Sequence, residues 1–160
     1  MLIFLHGLDS SGNGFKGRYF AERYPQMVRP DFSGDLSARL VQLEEIIAGE
    51  RDLLFVGSSY GGLMATVFAL RYPERVRRLV LLAPAFNFPD FVLPEGGRVE
   101  VETHLVIGRD DSVTPPDEVT ALARQIFTDL RVSLVEDDHL LHKTFPSLDW
   151  PSLFVLPPVL

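Results

Sequence analysis

A chain of 160 residues, 46% hydrophobic and 23% charged, suits one globular domain whose core needs no metal or disulfide staple. Its net charge of −7 argues against a nucleic-acid backbone or an anionic membrane surface as partner. The absence of cysteine excludes disulfide frameworks, thiol nucleophiles and cysteine-ligated zinc.

The apolar start, Met1 to Leu5, has no basic flank and is too short for a signal peptide. No run approaches the roughly 20 apolar residues of a spanning helix. A cytoplasmic protein is the expectation. In chain order, short β-type runs fall at Leu2–Leu5, Gln26–Arg29, Leu53–Val56, Arg78–Leu82, Glu102–Ile107 and Arg131–Val135. Helical patterns lie between them at Phe15–Tyr24, Leu36–Gly49, Tyr60–Tyr72 and Asp117–Leu130. In the second helix Asp35 is placed as N-cap, and Leu36, Leu40, Leu43 and Ile47 recur at helical spacing. Strand–helix alternation predicts a mostly parallel, six-stranded sheet with helices on both faces. Leu53–Val56 and Leu79–Leu82 show no polar alternation, as strands buried on both faces should. Ligands of such sheets bind at the carboxyl ends of the strands.

There the chemistry-bearing residues gather. The third run leads into Gly57-Ser58-Ser59-Tyr60-Gly61-Gly62 and then a helix, a G-x-S-x-G elbow centred on Ser59. Ser58 cannot take that place, because Val56 stands two positions before it. A serine on a sharp strand-to-helix turn is strained and crowded, so its flanking positions must lack a Cβ. Gly61, Ala65 and Ala69 form a small-residue stripe that would let the helix lie close on the sheet. The helix N-terminus would aim free N–H groups at a developing oxyanion. Two backbone donors are expected, Tyr60 after the serine and Leu8 in the loop His6-Gly7-Leu8 after the first strand. His6 itself is expected to brace that loop by hydrogen bonds.

After the fifth run, Gly108-Arg-Asp110-Asp111-Ser-Val-Thr-Pro115 offers a carboxylate to orient an imidazole. Asp117, at the start of a helix, would only complement its dipole. After the sixth run comes Asp138-His139, the natural place for a general base, with His142 as its rival. His104, inside a strand, is expected to be packed or hydrogen-bonded.

These motifs resemble the α/β-hydrolase superfamily over nearly the whole chain. The resemblance rests on His6-Gly7-Leu8, the Ser59 elbow, Arg71-Tyr-Pro-Glu-Arg75, Leu79 to Pro84, the Gly108–Pro115 loop and Asp138-His139. It implies a minimal α/β-hydrolase fold without a cap domain, strand order 2-1-3-4-5-6, and a chain that begins after the first two strands of larger members. It places the acid three residues after Gly108, which selects Asp111. Thr114 departs from the Val or Ile usual before the proline. Within the superfamily, the chain is similar to a group of small bacterial esterases, the YqiA-like proteins. The implied activity is serine hydrolysis of small esters or thioesters by Ser59, Asp111 and His139, with no cofactor or metal.

The stretch Ala85–Arg98 is too short for a lid, and Phe86, Phe88 and Phe91 could wall an acyl site or simply close the core. Pro146 and Pro151 interrupt the last helix, and the tail Ser152–Leu160 is almost wholly apolar. It is expected to pack on its own domain; exposed, it would invite a homodimer. Two other readings are weighed. One is a hydrolase fold kept as a non-catalytic binding module. The other is a dinucleotide site at Gly12, Gly14 and Gly17, with Asp31 further on, although the first glycine sits too far from its strand.

Overall fold

Five parallel strands, β1 (Leu2–Leu5), β2 (Leu53–Ser58), β3 (Val76–Leu82), β4 (Glu102–Gly108) and β5 (Leu130–Val135), form one sheet in the order β1-β2-β3-β4-β5. The computed structural model describes residues 1–155. Every residue from Leu53 to Gly57 is buried, and because alternate side chains of a strand point to opposite faces, both faces of β2 are covered. The covering elements are α1 (Phe15–Arg23), α2 (Leu36–Ile46), α3 (Tyr60–Arg71), α4 (Pro116–Ile126) and α5 (Trp150–Phe154).

Asp35 caps α2 as its position requires, its Oδ1 accepting the Ala38 N–H at 2.9 Å. The stripe Gly61, Ala65 and Ala69 is wholly buried, and α3 lies so close to β1 that a Cβ on Gly61 would strike the Leu5 carbonyl. An aromatic cluster ties α5 to α1. Phe20 meets Trp150 at 4.9 Å and Phe145 at 5.3 Å, and Tyr24 meets Phe154 at 4.8 Å. The chain through Phe154 thus packs on its own domain. Residues 156–160, the end of the apolar tail that would invite a homodimer if exposed, lie outside the described residues. Pro151 stands in the first turn of α5, where a missing N–H costs nothing, so it opens that helix rather than breaking it.

Two expectations are corrected. The sheet has five strands, not six, because Gln26–Arg29 contributes only an isolated parallel bridge, Ile3↔Val28. That bridge lies beside β1, where the expected order put a strand. Two residues after Val28, Pro30 has no N–H to extend the ladder. The fourth helix stops at Ile126 rather than Leu130, because Phe127 turns extended to bridge Val99. Between β3 and β4 the described chain forms turns, irregular stretches and the single Val99 bridge, so no cap domain is inserted there.

Candidate active site

The parallel strands deliver their loops to one edge, and three of the residues singled out above meet there. Ser59 follows β2 directly with φ 53° and ψ −113°, a left-handed conformation that side chains normally avoid. Its surroundings hold it there. The Ser59 N–H donates to the Leu82 carbonyl at 2.9 Å, and the Ser59 carbonyl accepts from Gly62 and Ala85. A Cβ on Gly57 would stand 2.5 Å from the Gly61 carbonyl oxygen, so the turn cannot close with any other residue.

His139 Nε2 lies 3.0 Å from Ser59 Oγ, and its Nδ1 lies 2.8 Å from Asp111 Oδ2. An ionised carboxylate only accepts, so the proton sits on Nδ1 and leaves Nε2 free to accept from the serine hydroxyl. Asp111 is buried and held from four directions. Its Oδ1 accepts the N–H groups of Val113 at 2.9 Å and Thr114 at 2.7 Å; its Oδ2 accepts the Thr114 hydroxyl at 2.7 Å as well as the imidazole. Asp110 is exposed, and its backbone N–H donates to the Asp137 carbonyl at 3.1 Å. His142 is also exposed, its ring against Phe15 at 4.5 Å.

Thr114 acquires a place in this network that its sequence position did not announce. It stood out only as a departure from the usual aliphatic residue. Here it is fully buried, and its hydroxyl lies 3.1 Å from His139 Nδ1 while donating to the same Asp111 oxygen. Asp137 is another residue that sequence patterns gave no reason to choose. It accepts the N–H groups of Thr144 at 2.7 Å and Asp138 at 2.9 Å, closing the loop that carries His139.

The two expected oxyanion donors flank the serine. Tyr60 begins α3 and Leu8 lines the same cavity as Ser59. Among the described residues, neither amide has a backbone or side-chain acceptor. The Tyr60 ring is anchored away from the chemistry, its hydroxyl donating to Asp90 at 2.7 Å; burial pushes that phenol up to about 12. His6 is a brace. Its Nε2 accepts the Phe32 N–H at 2.9 Å, its Nδ1 donates to the Gly7 carbonyl at 2.6 Å, and burial lowers its pKa. His104 reaches Ser133 Oγ at 2.8 Å.

A cavity of about 420 Å³ opens on Ser59 and His139. Its apolar lining includes Phe4, Leu8, Phe15, Phe88, Val113 and Leu140. Of the three phenylalanines proposed as an acyl wall, Phe88 alone reaches it. Phe86 is buried in the core and packs against Phe91, with ring centroids 5.7 Å apart. The glycines of the dinucleotide pattern are occupied by packing: Gly12 donates to Asp31 Oδ1 at 2.6 Å, and a Cβ on Gly17 would strike the Gly12 carbonyl. Among the described residues no cluster of three or more His, Asp or Glu side chains could hold a metal ion, and no helix is long and apolar enough to cross a membrane.

Comparison with known proteins agrees with the fold. A family model described as alpha/beta hydrolase fold matches residues 4–101, more than half of the chain. The abhydrolase domain-containing protein abhd-5.2 of Caenorhabditis elegans is 39% identical over 69 residues, covering 39% of this chain and 16% of that protein. The (lyso)-N-acylphosphatidylethanolamine lipase of Mus musculus is 31% identical over 85 residues, covering 53% of this chain and 23% of the lipase. The chain thus matches less than a quarter of the length of these curated relatives. A solved structure from Xanthomonas campestris pv. campestris, of the alpha/beta superfamily of hydrolases, superposes with a TM-score of 0.74 at 26% identity over 91% of each chain. The family match ends before Asp111 and His139, so those two residues rest on geometry alone.

Proposed function

Because the chain belongs to the α/β-hydrolase family, we propose that it is a serine hydrolase that cleaves carboxylic esters or thioesters of small substrates through an acyl-enzyme on Ser59. The observation that carries the reading is the unbroken relay from Ser59 Oγ through His139 to the buried Asp111, at 3.0 and 2.8 Å. In the first step His139 Nε2 takes the hydroxyl proton as Ser59 Oγ bonds to the substrate carbonyl carbon. The Leu8 and Tyr60 amides receive the carbonyl oxygen as its charge grows. Collapse expels the alcohol or thiol, which leaves with the proton from His139. Water then repeats the sequence on the acyl-enzyme, giving up its proton to His139 and releasing the acid. Asp111 keeps the imidazole in the required tautomer and stabilises it when charged.

The relative named as a lipase and the apolar lining of the cavity both favour an acyl substrate. The narrower likeness to small bacterial esterases belongs to the same proposal. The wall that Phe88 offers is one loop deep, so acyl chains should gain about 0.8 kcal/mol per buried CH₂ for only a few carbons. Short nitrophenyl esters should therefore be turned over better than long ones, with no rise in rate at a lipid–water interface. The test is Ser59→Ala against Ser58→Ala on 4-nitrophenyl acetate. The first should lose at least about 10³-fold in kcat and the second should stay close to the parent. A loss below tenfold in Ser59→Ala would refute the assignment, and a parent inert toward esters and fluorophosphonates would favour a non-catalytic binding module.

A further inference from the structure

The cavity that opens on Ser59 holds one cation that the proposed chemistry does not use. Lys16 is the only lysine or arginine among its lining residues. It stands in the first turn of α1, where an ammonium opposes the positive end of the helix dipole, and no acid in that turn compensates. Burial pushes its pKa down to about 8, against the raising influence of Asp137 and Asp138. Burial and the helix dipole both disfavour the charge at this position. Nζ donates to the Leu140 carbonyl at 2.7 Å, and among the described residues it forms no ion pair. An ammonium has three donors, so two remain.

The ammonium rests 5.6 Å from the centre of the Phe145 ring and is tethered to Leu140, the residue after His139. The cavity lining that it shares is largely apolar, with Leu8, Phe15, Phe88, Val113 and Leu140, and carries Asp9, Ser10, His139 and His142 among them. An ion pair formed against such a wall is screened less than one on open surface. In a chain of net charge −7 the general field repels anions, so an anionic group must be recognised locally. A single point charge with two free donors suits a monovalent carboxylate; a phosphate ordinarily draws a cluster of cations or backbone amides.

We propose that Lys16 is a specificity-determining residue that receives a carboxylate on the substrate, so that the preferred substrates are esters with a second, anionic end. This rests on the reading of Ser59 as nucleophile. Two matched pairs test it and tell the acyl side from the alcohol side: mono-4-nitrophenyl adipate against its methyl ester, and 4-acetoxybenzoate against its methyl ester. Each ratio of kcat/KM is divided by the ratio of the two alkaline hydrolysis rates. In one pair the anionic member should be preferred about tenfold or more at low salt. Lys16→Gln should bring that ratio to about one while leaving the neutral ester within about threefold, and Lys16→Arg should keep most of the preference.

The preference should also fade as pH rises through about 8, since the lysine then loses its charge while the carboxylate keeps its own. The other titratable groups near the ammonium are Asp9, Asp137, Asp138, His139 and His142. Any effect of the histidines on the chemical step cancels within a pair. Hydrolysis of neutral esters through Ser59 with no discrimination in either pair would overturn the inference and leave the function standing. So would a Lys16→Gln variant that lost both members equally, which would make Lys16 only a clasp for the Leu140 loop. Equal turnover by parent and Ser59→Ala would instead remove the function and the inference together.

Discussion

The sheet holds buried polar groups at both of its ends and uses them differently. At the amino ends of β3 and β4, Arg78 meets both oxygens of Glu102 at 2.7 and 2.6 Å, and its other amino group donates to the carbonyls of Leu153 and Val155. That guanidinium is tied to protein on both of its arms, and it pins the last described turn to the sheet. At the carboxyl ends Asp111 is equally well held, but the chain of contacts starting from it runs outward, through His139 to a partly exposed serine at a cavity. Closed networks stabilise; a network with one open end can react.

Breaking each end should therefore give opposite phenotypes. The largest effect is expected at the carboxyl end. Asp111→Asn should lower kcat by about 10⁴-fold on a nitrophenyl ester, with little change in melting temperature, because the imidazole loses its tautomer and the partner for its charge. Asp110→Asn should remain within about threefold of the parent. Equal losses in the two would remove Asp111 from the account. At the amino end, Arg78→Met should cost about 1–2 kcal/mol in urea unfolding, since it removes the pair with a half-exposed Glu102 and the donors to the Ser152, Leu153 and Val155 carbonyls, yet leave the kcat of the folded fraction unchanged.

Finer substitutions sharpen the contrast. Thr114→Val removes one donor from Asp111 Oδ2 and leaves both backbone N–H groups on Oδ1, so kcat should drop only about tenfold. Thr114→Ser should restore it, and a valine variant as active as the parent would show that the hydroxyl does not help to hold the acid. The smallest effect belongs to His6, which is kept neutral by burial. Its folded pKa lies below the unfolded value, so the unfolded chain binds the proton first as pH falls below about 6.5. Stability is thus complete above that pH and declines toward the lower folded pKa. The melting temperature of His6→Gln should fall less between pH 7 and pH 5 than the parent's.

The carboxyl-end loops were also the more legible part of the sequence. The elbow needs glycine for steric reasons that any sequence must satisfy, and Gly57 and Gly61 therefore marked Ser59 at once. The places just after β4 and β5 pointed to an acid and a base, but the family resemblance was needed to select Asp111 over Asp110, and His139 kept His142 as a rival. What stayed hidden depends on contacts between distant segments. Residues 127–130 continue the helical spacing of α4, and only the pairing of Phe127 with Val99 ends the helix. Phe86, Phe88 and Phe91 read alike as apolar residues; which one faces the cavity is fixed by packing around Tyr60 and Asp90. Thr114 was visible as an irregularity, but its hydroxyl acquires meaning only when β5 brings His139 beside it.

The central claim is that the open end of the relay is Ser59 Oγ, and a fluorophosphonate adduct reports on it most directly. After reaction at neutral pH, intact-protein mass and peptide mapping should show one adduct per chain, carried by Ser59. Ser58→Ala should label like the parent, His139→Gln should label far more slowly, and Ser59→Ala should not label. An adduct on another residue, or undiminished labelling of Ser59→Ala, would contradict the account.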